Sequence, residues 1–216
     1  MIINPYIFNP GGGSPGGCAG VLGTTSTFIN GTGTNLHYVP VSGYYGYSIG
    51  FFLLTAFELN TSKEFTGLLL EKSFTEPSGI TLLNQTVRFY HTTASVLPAT
   101  VNTSGTFGSN LTLVGANAGL PVTDETTVFN GNWYQTAAAG WKEMIFNQDN
   151  FCYNGTDNVV VMWINNDGAA DVTNYAYWKT DSELSSLDKG AYAYSDSAGP
   201  TSASNFDQRP HLQLSY

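Results

Sequence analysis

An all-β fold, a single sandwich of jelly-roll type, is what this sequence predicts. Three observations carry the prediction. Apolar residues recur at every second position, as in Tyr45, Tyr47, Ile49, Phe51 and Leu53, which is the period of a strand. Gly, Asn, Asp, Ser and Pro punctuate the chain between these short runs, as turns do. No helix-length window carries a 3.6-residue apolar period.

Composition agrees. The chain has 216 residues, of which 42% are hydrophobic, including 13 Tyr, 13 Phe and 4 Trp. That length can bury a sizeable core without a disulfide framework, and aromatic residues favour strands. Charged residues make up only 11%, against about 25% in a typical soluble domain. A disordered chain would need the opposite balance of high charge and few aromatics. Seven Lys and Arg face 16 Asp and Glu, a net charge of −9. The basic residues are scattered, so the positive surface that nucleic-acid binding requires is missing. No apolar run reaches the roughly 18 residues of a membrane-spanning helix. Neither nucleic acid nor membrane is therefore expected as a partner.

The elements follow in chain order. Residues 9–20, with their Gly-Gly-Gly and Gly-Gly runs, cannot form a helix and read as flexible. They belong to a Gly/Pro-rich N-terminal arm over residues 1–42, followed by a sandwich over residues 43–216. Met1-Ile2-Ile3-Asn4-Pro5 offers neither a positive region nor an apolar run, so export by a cleaved signal is not expected. Tyr45 to Leu59 reads as a half-buried strand or pair of strands, with Phe57 on the apolar face. Phe65 to Phe74 is a second apolar segment. Val87, Phe89 and His91 point inward from a third. Leu111 and Leu113 mark a short strand, and Thr126 to Phe129 another that ends in a turn at Asn130-Gly131. Asn154-Gly155 is a turn signal ahead of Val159 to Ile164, which is apolar on both faces and reads as a central core strand. Residues 180–189 fit one helical turn. In the last strand Leu212, Leu214 and Tyr216 face inward.

Three stretches carry a resemblance. They are Gly140-Trp141-Lys142-Glu143-Met144-Ile145-Phe146, then Phe151-Cys152-Tyr153-Asn154-Gly155-Thr156-Asp157-Asn158-Val159-Val160-Val161, then Arg209-Pro210-His211-Leu212-Gln213-Leu214. Together they resemble the jelly-roll domain of Bacteroidetes surface proteins of the cleaved-adhesin type. The resemblance implies a β-sandwich used for adhesion or glycan contact, with no catalytic signature. Trp141 would anchor one sheet, and Asn158 would bond the turn backbone before the core strand.

Chemistry-bearing residues are sparse. His37, His91 and His211 are far apart and show no metal spacing. Asp124-Glu125 reads as a solvated pair rather than two catalytic carboxylates. Asp167 and Asp171 could offer oxygens to Ca²⁺, but ordinary turn capping is the stronger reading. No cofactor is expected. Cys18 and Cys152 are expected as free, buried thiols. The aromatic set Tyr175, Tyr177, Trp178, Tyr192 and Tyr194 is the best candidate for a binding surface, because Tyr and Trp combine apolar area with a polar tip.

The expectation for function is a non-enzymatic structural protein of a bacteriophage virion: a capsid decoration, head fibre or tail component. Its partners would be other virion proteins, further copies of itself in a homo-oligomer, and a host glycan. The alternative is a carbohydrate-binding or adhesin module at a bacterial cell surface.

Overall fold

A computed structural model describes residues 26–28, 35–41, 43–108, 110–116, 119–171, 174–181, 189–206 and 208–216. The stretch 9–20, Cys18 and most of the turn expected at 180–189 lie outside them. Among the described residues the regular structure is almost all strand, with one helical turn, and the chain folds as an all-β sandwich. In order come β1 (Ser26–Phe28), β2 (Asn35–His37), β3 (Tyr47–Leu54), a helical turn α1 (Ala56–Leu59), β4 (Lys63–Phe65) and β5 (Gly67–Lys72). Then follow β6 (Ile80–Thr92), β7 (Thr100–Asn102), β8 (Val122–Gln135), β9 (Gly140–Ile145), β10 (Phe151–Tyr153) and β11 (Asn158–Asn166). Last are β12 (Trp178–Asp181), β13 (Gly190–Ser195), β14 (Ser202–Phe206), β15 (Arg209–Pro210) and β16 (Leu212–Ser215).

One sheet has the order β7-β14-β13-β3-β11-β6-β8. The other runs β1-β16-β5-β12-β15, with β2 added to β12 and β9 added to β5. A small pair, β10 with β4, stands apart. Strands β1 and β2 fall within the arm drawn over residues 1–42, and both are paired in the sheet. Val39 and Val41 are buried as well, so the packed domain begins ahead of residue 43.

The main core lies between the sheets. It gathers Phe52, Leu54, Leu68, Leu70, Val87, Phe89, Trp163, Trp178, Leu212 and Leu214. A second core lies on the outer face of the first sheet, where Ile49, Phe51, Leu53, Val160, Met162 and Ile164 meet Leu97, Val101, Leu111, Leu113 and Leu120. The excursion between β6 and β8 thus roofs the sheet. This explains why β11 is apolar on both faces, as the sequence predicts. It also corrects the half-buried reading of β3, which is buried on both sides.

Several local expectations change. The alternation of Tyr45 to Leu59 stops at Leu54, because Thr55 caps α1: its hydroxyl accepts the Glu58 N–H, and its own N–H donates to the Glu58 carboxylate. Phe57 consequently leaves the apolar face and is 95% exposed. Leu111 and Leu113 flank an isolated bridge at Thr112 instead of forming a strand. Asn130-Gly131 makes no turn, since β8 continues to Gln135. The irregularity there is absorbed by three register shifts against β6, two of them beside the positive φ of Asn84 and Asp124. Trp141 is only half-buried while Lys142 and Met144 point inward, so Trp133, Trp163 and Trp178 are the core indoles. Asn154-Gly155 does turn, with Gly155 at φ 85. Asn154 bonds that turn, accepting from Thr156 N and Asp157 N at 2.9 and 3.0 Å. Asn158 reaches elsewhere, to Ala56 N and the Ala94 carbonyl.

Cys152 is disulfide-bonded, and there is no free cysteine among the described residues. The expectation of free thiols is therefore wrong for Cys152. The chain's only other cysteine is Cys18. No helix among the described residues is long and apolar enough to cross a membrane.

Candidate functional site

At one end of the sandwich, four separate segments bring tyrosines together. Tyr38 follows β2, Tyr44 and Tyr45 precede β3, Tyr175 and Tyr177 lead into β12, and Tyr194 lies on β13. Backbone bonds hold these segments in place. Gly168 N–H donates to the Gly46 carbonyl at 2.9 Å, and Asp171 N–H to the Gly43 carbonyl at 2.8 Å. A Cβ at Gly46 would meet the Ala169 nitrogen at 3.1 Å, so glycine permits this close approach. The Ser73 N–H and hydroxyl both donate to the Tyr177 carbonyl, at 2.9 and 3.0 Å.

The rings form one continuous cluster. Tyr38 stacks on Tyr44 at 5.0 Å and meets Tyr177 at 4.5 Å. Tyr44 stands edge-on to Tyr45 at 4.9 Å and to Tyr175 at 4.8 Å. Tyr45 stacks on Tyr194 at 3.8 Å, and Phe74 closes the far side against Tyr177 at 5.2 Å. The Tyr38 and Tyr177 hydroxyls bond each other. Burial, then Tyr194, pushes the Tyr45 phenol up. The Tyr177 hydrogen bond does so for Tyr175, and the Tyr38 bond for Tyr177. These hydroxyls are therefore neutral donors and acceptors near pH 7. Tyr194 is 52% exposed, while the other five tyrosines are half-buried. Such a surface offers ring faces to apolar C–H groups and hydroxyl tips to polar ones.

The sequence-based set divides here. Tyr175, Tyr177 and Tyr194 lie in the cluster. Trp178 is fully buried and stacks on Trp133 at 5.7 Å in the main core. Tyr192 is 8% exposed, beneath Tyr194. Trp178 points inward because the strand period turns it away from Tyr177, whereas Tyr192 shares its strand face with Tyr194 but sits further along β13, where the strand is buried. Sequence reasoning missed Tyr38, Tyr44, Tyr45 and Phe74. The Tyr44-Tyr45 doublet between Gly43 and Gly46 was the available signal, since two adjacent aromatics between glycines cannot both face a core.

Other candidates are occupied by structural duties. The Asp167 carboxylate accepts the Leu83 N–H at 3.2 Å, and that of Asp171 accepts the Asn174 N–H at 3.0 Å. Burial raises the Asp167 pKa, and Asp171 adds to the effect. Among the described residues no group of three or more His, Cys, Asp or Glu could hold a metal ion. His91 Nε2 accepts the Asn154 N–H at 3.2 Å, and its ring packs on Phe151. Glu125 pairs with Arg88 and accepts the Thr112 hydroxyl.

No family model matches the chain, and no curated protein matches it. Among solved structures it is similar to the cysteine protease and lectin-like domains of Cwp84, a surface layer associated protein of Clostridium difficile. That likeness has 7% identity and a TM-score of 0.37, and covers 78% of this chain and 31% of that one. A structure of clostridial cysteine protease Cwp84 after propeptide cleavage gives 6% identity and a TM-score of 0.37 over 83% of this chain and 39% of that one. The chain thus spans about a third of the length of these proteins. Likeness at this level carries no argument about function.

Proposed function

We propose that this chain is a non-enzymatic binding domain at a bacterial cell surface, and that its tyrosine cluster contacts a glycan. The observation that carries this reading is the assembly of six tyrosines, from four segments, into one partly exposed patch. Sugars present flat C–H faces edged with hydroxyls, and tyrosine complements both. The disulfide at Cys152 supports an oxidising exterior setting, where such bonds persist. Titrating oligosaccharides into the protein while following tyrosine ring signals by NMR tests it. Selective shifts of the cluster's rings are expected, and shifts spread evenly over all tyrosines would count against it.

A bacteriophage virion component is the second reading, favoured by Phe57. A phenyl ring 95% exposed on a capped, ion-paired turn suits a contact with another copy or another virion protein. Light scattering on the full chain and on Phe57→Ser separates the two readings. A defined oligomer lost in the variant supports assembly, and a monomer in both removes that support.

A further inference from the structure

The segments that build the tyrosine cluster carry acids and no bases. Residues 38–47, 73–77, 167–177 and 192–200 hold Glu76, Asp167, Asp171 and Asp196, and no Lys, Arg or His. Two of these acids are fixed beside the rings. Asp196 Oδ1 accepts the Gly46 N–H at 3.3 Å, one residue after Tyr45. Asp196 also follows Tyr194 by two residues, and the Tyr194 and Tyr45 rings stack at 3.8 Å. Its side chain is exposed, so a carboxylate stands in solvent beside that stacked pair. Asp171 lies at a second ring contact. Its N–H donates to the Gly43 carbonyl at 2.8 Å, one residue before Tyr44. Its Oδ1 accepts the Asn174 N–H at 3.0 Å, one residue before Tyr175. The Tyr44 and Tyr175 rings meet at 4.8 Å.

The bases that adjoin these segments are engaged elsewhere. Lys72 is 1% exposed and donates to the Thr136 and Ala137 carbonyls. Lys179 is bonded to Glu71. Burial lowers the His37 pKa, so the ring next to Tyr38 is uncharged near pH 7. An aromatic ring face is electron-rich and attracts a cation within about 6 Å of its centre. A carboxylate beside the ring attracts the same cation and repels an anion. The net charge of −9 acts in the same sense at longer range.

We propose, building on the glycan reading of this patch, that its ligand is an amino sugar bearing an ammonium group, and that Asp171 and Asp196 turn acidic sugars away. The ring faces take the sugar's C–H groups, and the carboxylates take its ammonium.

An array presenting free-amine, neutral and acidic glycans on shared backbones tests this, at low salt and slightly below neutral pH. The full chain should bind the free-amine forms about tenfold more tightly than the acidic forms. Added salt should shrink that gap. Asp171→Asn/Asp196→Asn should close it, because each carboxamide keeps the oxygen that accepts its backbone N–H and loses only the charge. The double variant should unfold at the temperature of the unaltered protein. Equal binding of the three classes, or a preference for neutral or acidic forms, overturns the proposal and leaves the glycan reading standing. So does a gap that survives in the double variant. No binding to any class overturns the glycan reading, and the amino-sugar proposal with it.

Discussion

The guanidinium of Arg209 closes on the carboxylate of Glu58 through both terminal nitrogens, at 3.1 and 2.5 Å. Arg209 also donates to the Leu53 carbonyl at 2.7 Å, and Thr55 donates to Glu58 through its N–H and hydroxyl, each at 2.7 Å. This pair fastens α1, and with it Phe57, to the closing segment of the chain.

Its pH signature follows. Burial alone would raise the Glu58 pKa, but Arg209 and Thr55 win and hold it near 2, against an ordinary 4.5. A depressed carboxylate stabilises the fold fully above pH 4.5 and loses that contribution as pH falls toward 2. The shift is worth about 3 kcal/mol. Urea denaturation between pH 5 and about 2 should show this slope, and Glu58→Gln should flatten it. Arg209→Ala strips both guanidinium bonds from a half-buried carboxylate, leaves it the Lys189 ammonium at 3.6 Å, and should cost about 3 kcal/mol at neutral pH.

Trp178 belongs to the core and not to the tyrosine patch. Trp178→Ala removes its stacking on Trp133 and should cost about 3–5 kcal/mol. Thermal and urea unfolding measure this, and a near-neutral outcome would contradict the placement.

Tyr194 and Tyr175 should behave in the opposite way. Tyr194 is half exposed and Tyr175 partly so, so alanine at either should change stability by less than about 1 kcal/mol. Loss of global stability in these variants would mean that the patch is packing and not a binding surface.

The disulfide makes a further prediction. With Cys18 as the chain's only other cysteine, an intramolecular bond to it would close a loop over most of the domain. Cys152→Ser, or reduction, should cost about 4 kcal/mol. Non-reducing electrophoresis should show a monomer, and a covalent dimer would contradict intramolecular pairing.

The sandwich was legible in the sequence because burial in sheets leaves a period. Val159 to Ile164 announced a strand covered on both sides, and Leu212 and Leu214 announced the closing one. The roof over β3 was not legible, because Leu97, Val101, Leu111 and Leu120 lie in loops and short strands without a period. The end of β3 was hidden too, since a capping box at Thr55 and Glu58 overrides an alternation that continues in the letters. Half of the tyrosine cluster was legible as aromatics near β12 and β13. Tyr38, Tyr44 and Tyr45 join it only through the pairing of distant segments, which no local pattern encodes.

A glycan array read with the full chain beside a Tyr44→Ala/Tyr175→Ala double variant tests the central claim most directly. The account predicts a defined set of bound glycans for the unaltered protein and their loss in a variant that unfolds at nearly the same temperature. Equal binding by both proteins, or none by the unaltered protein, would contradict it.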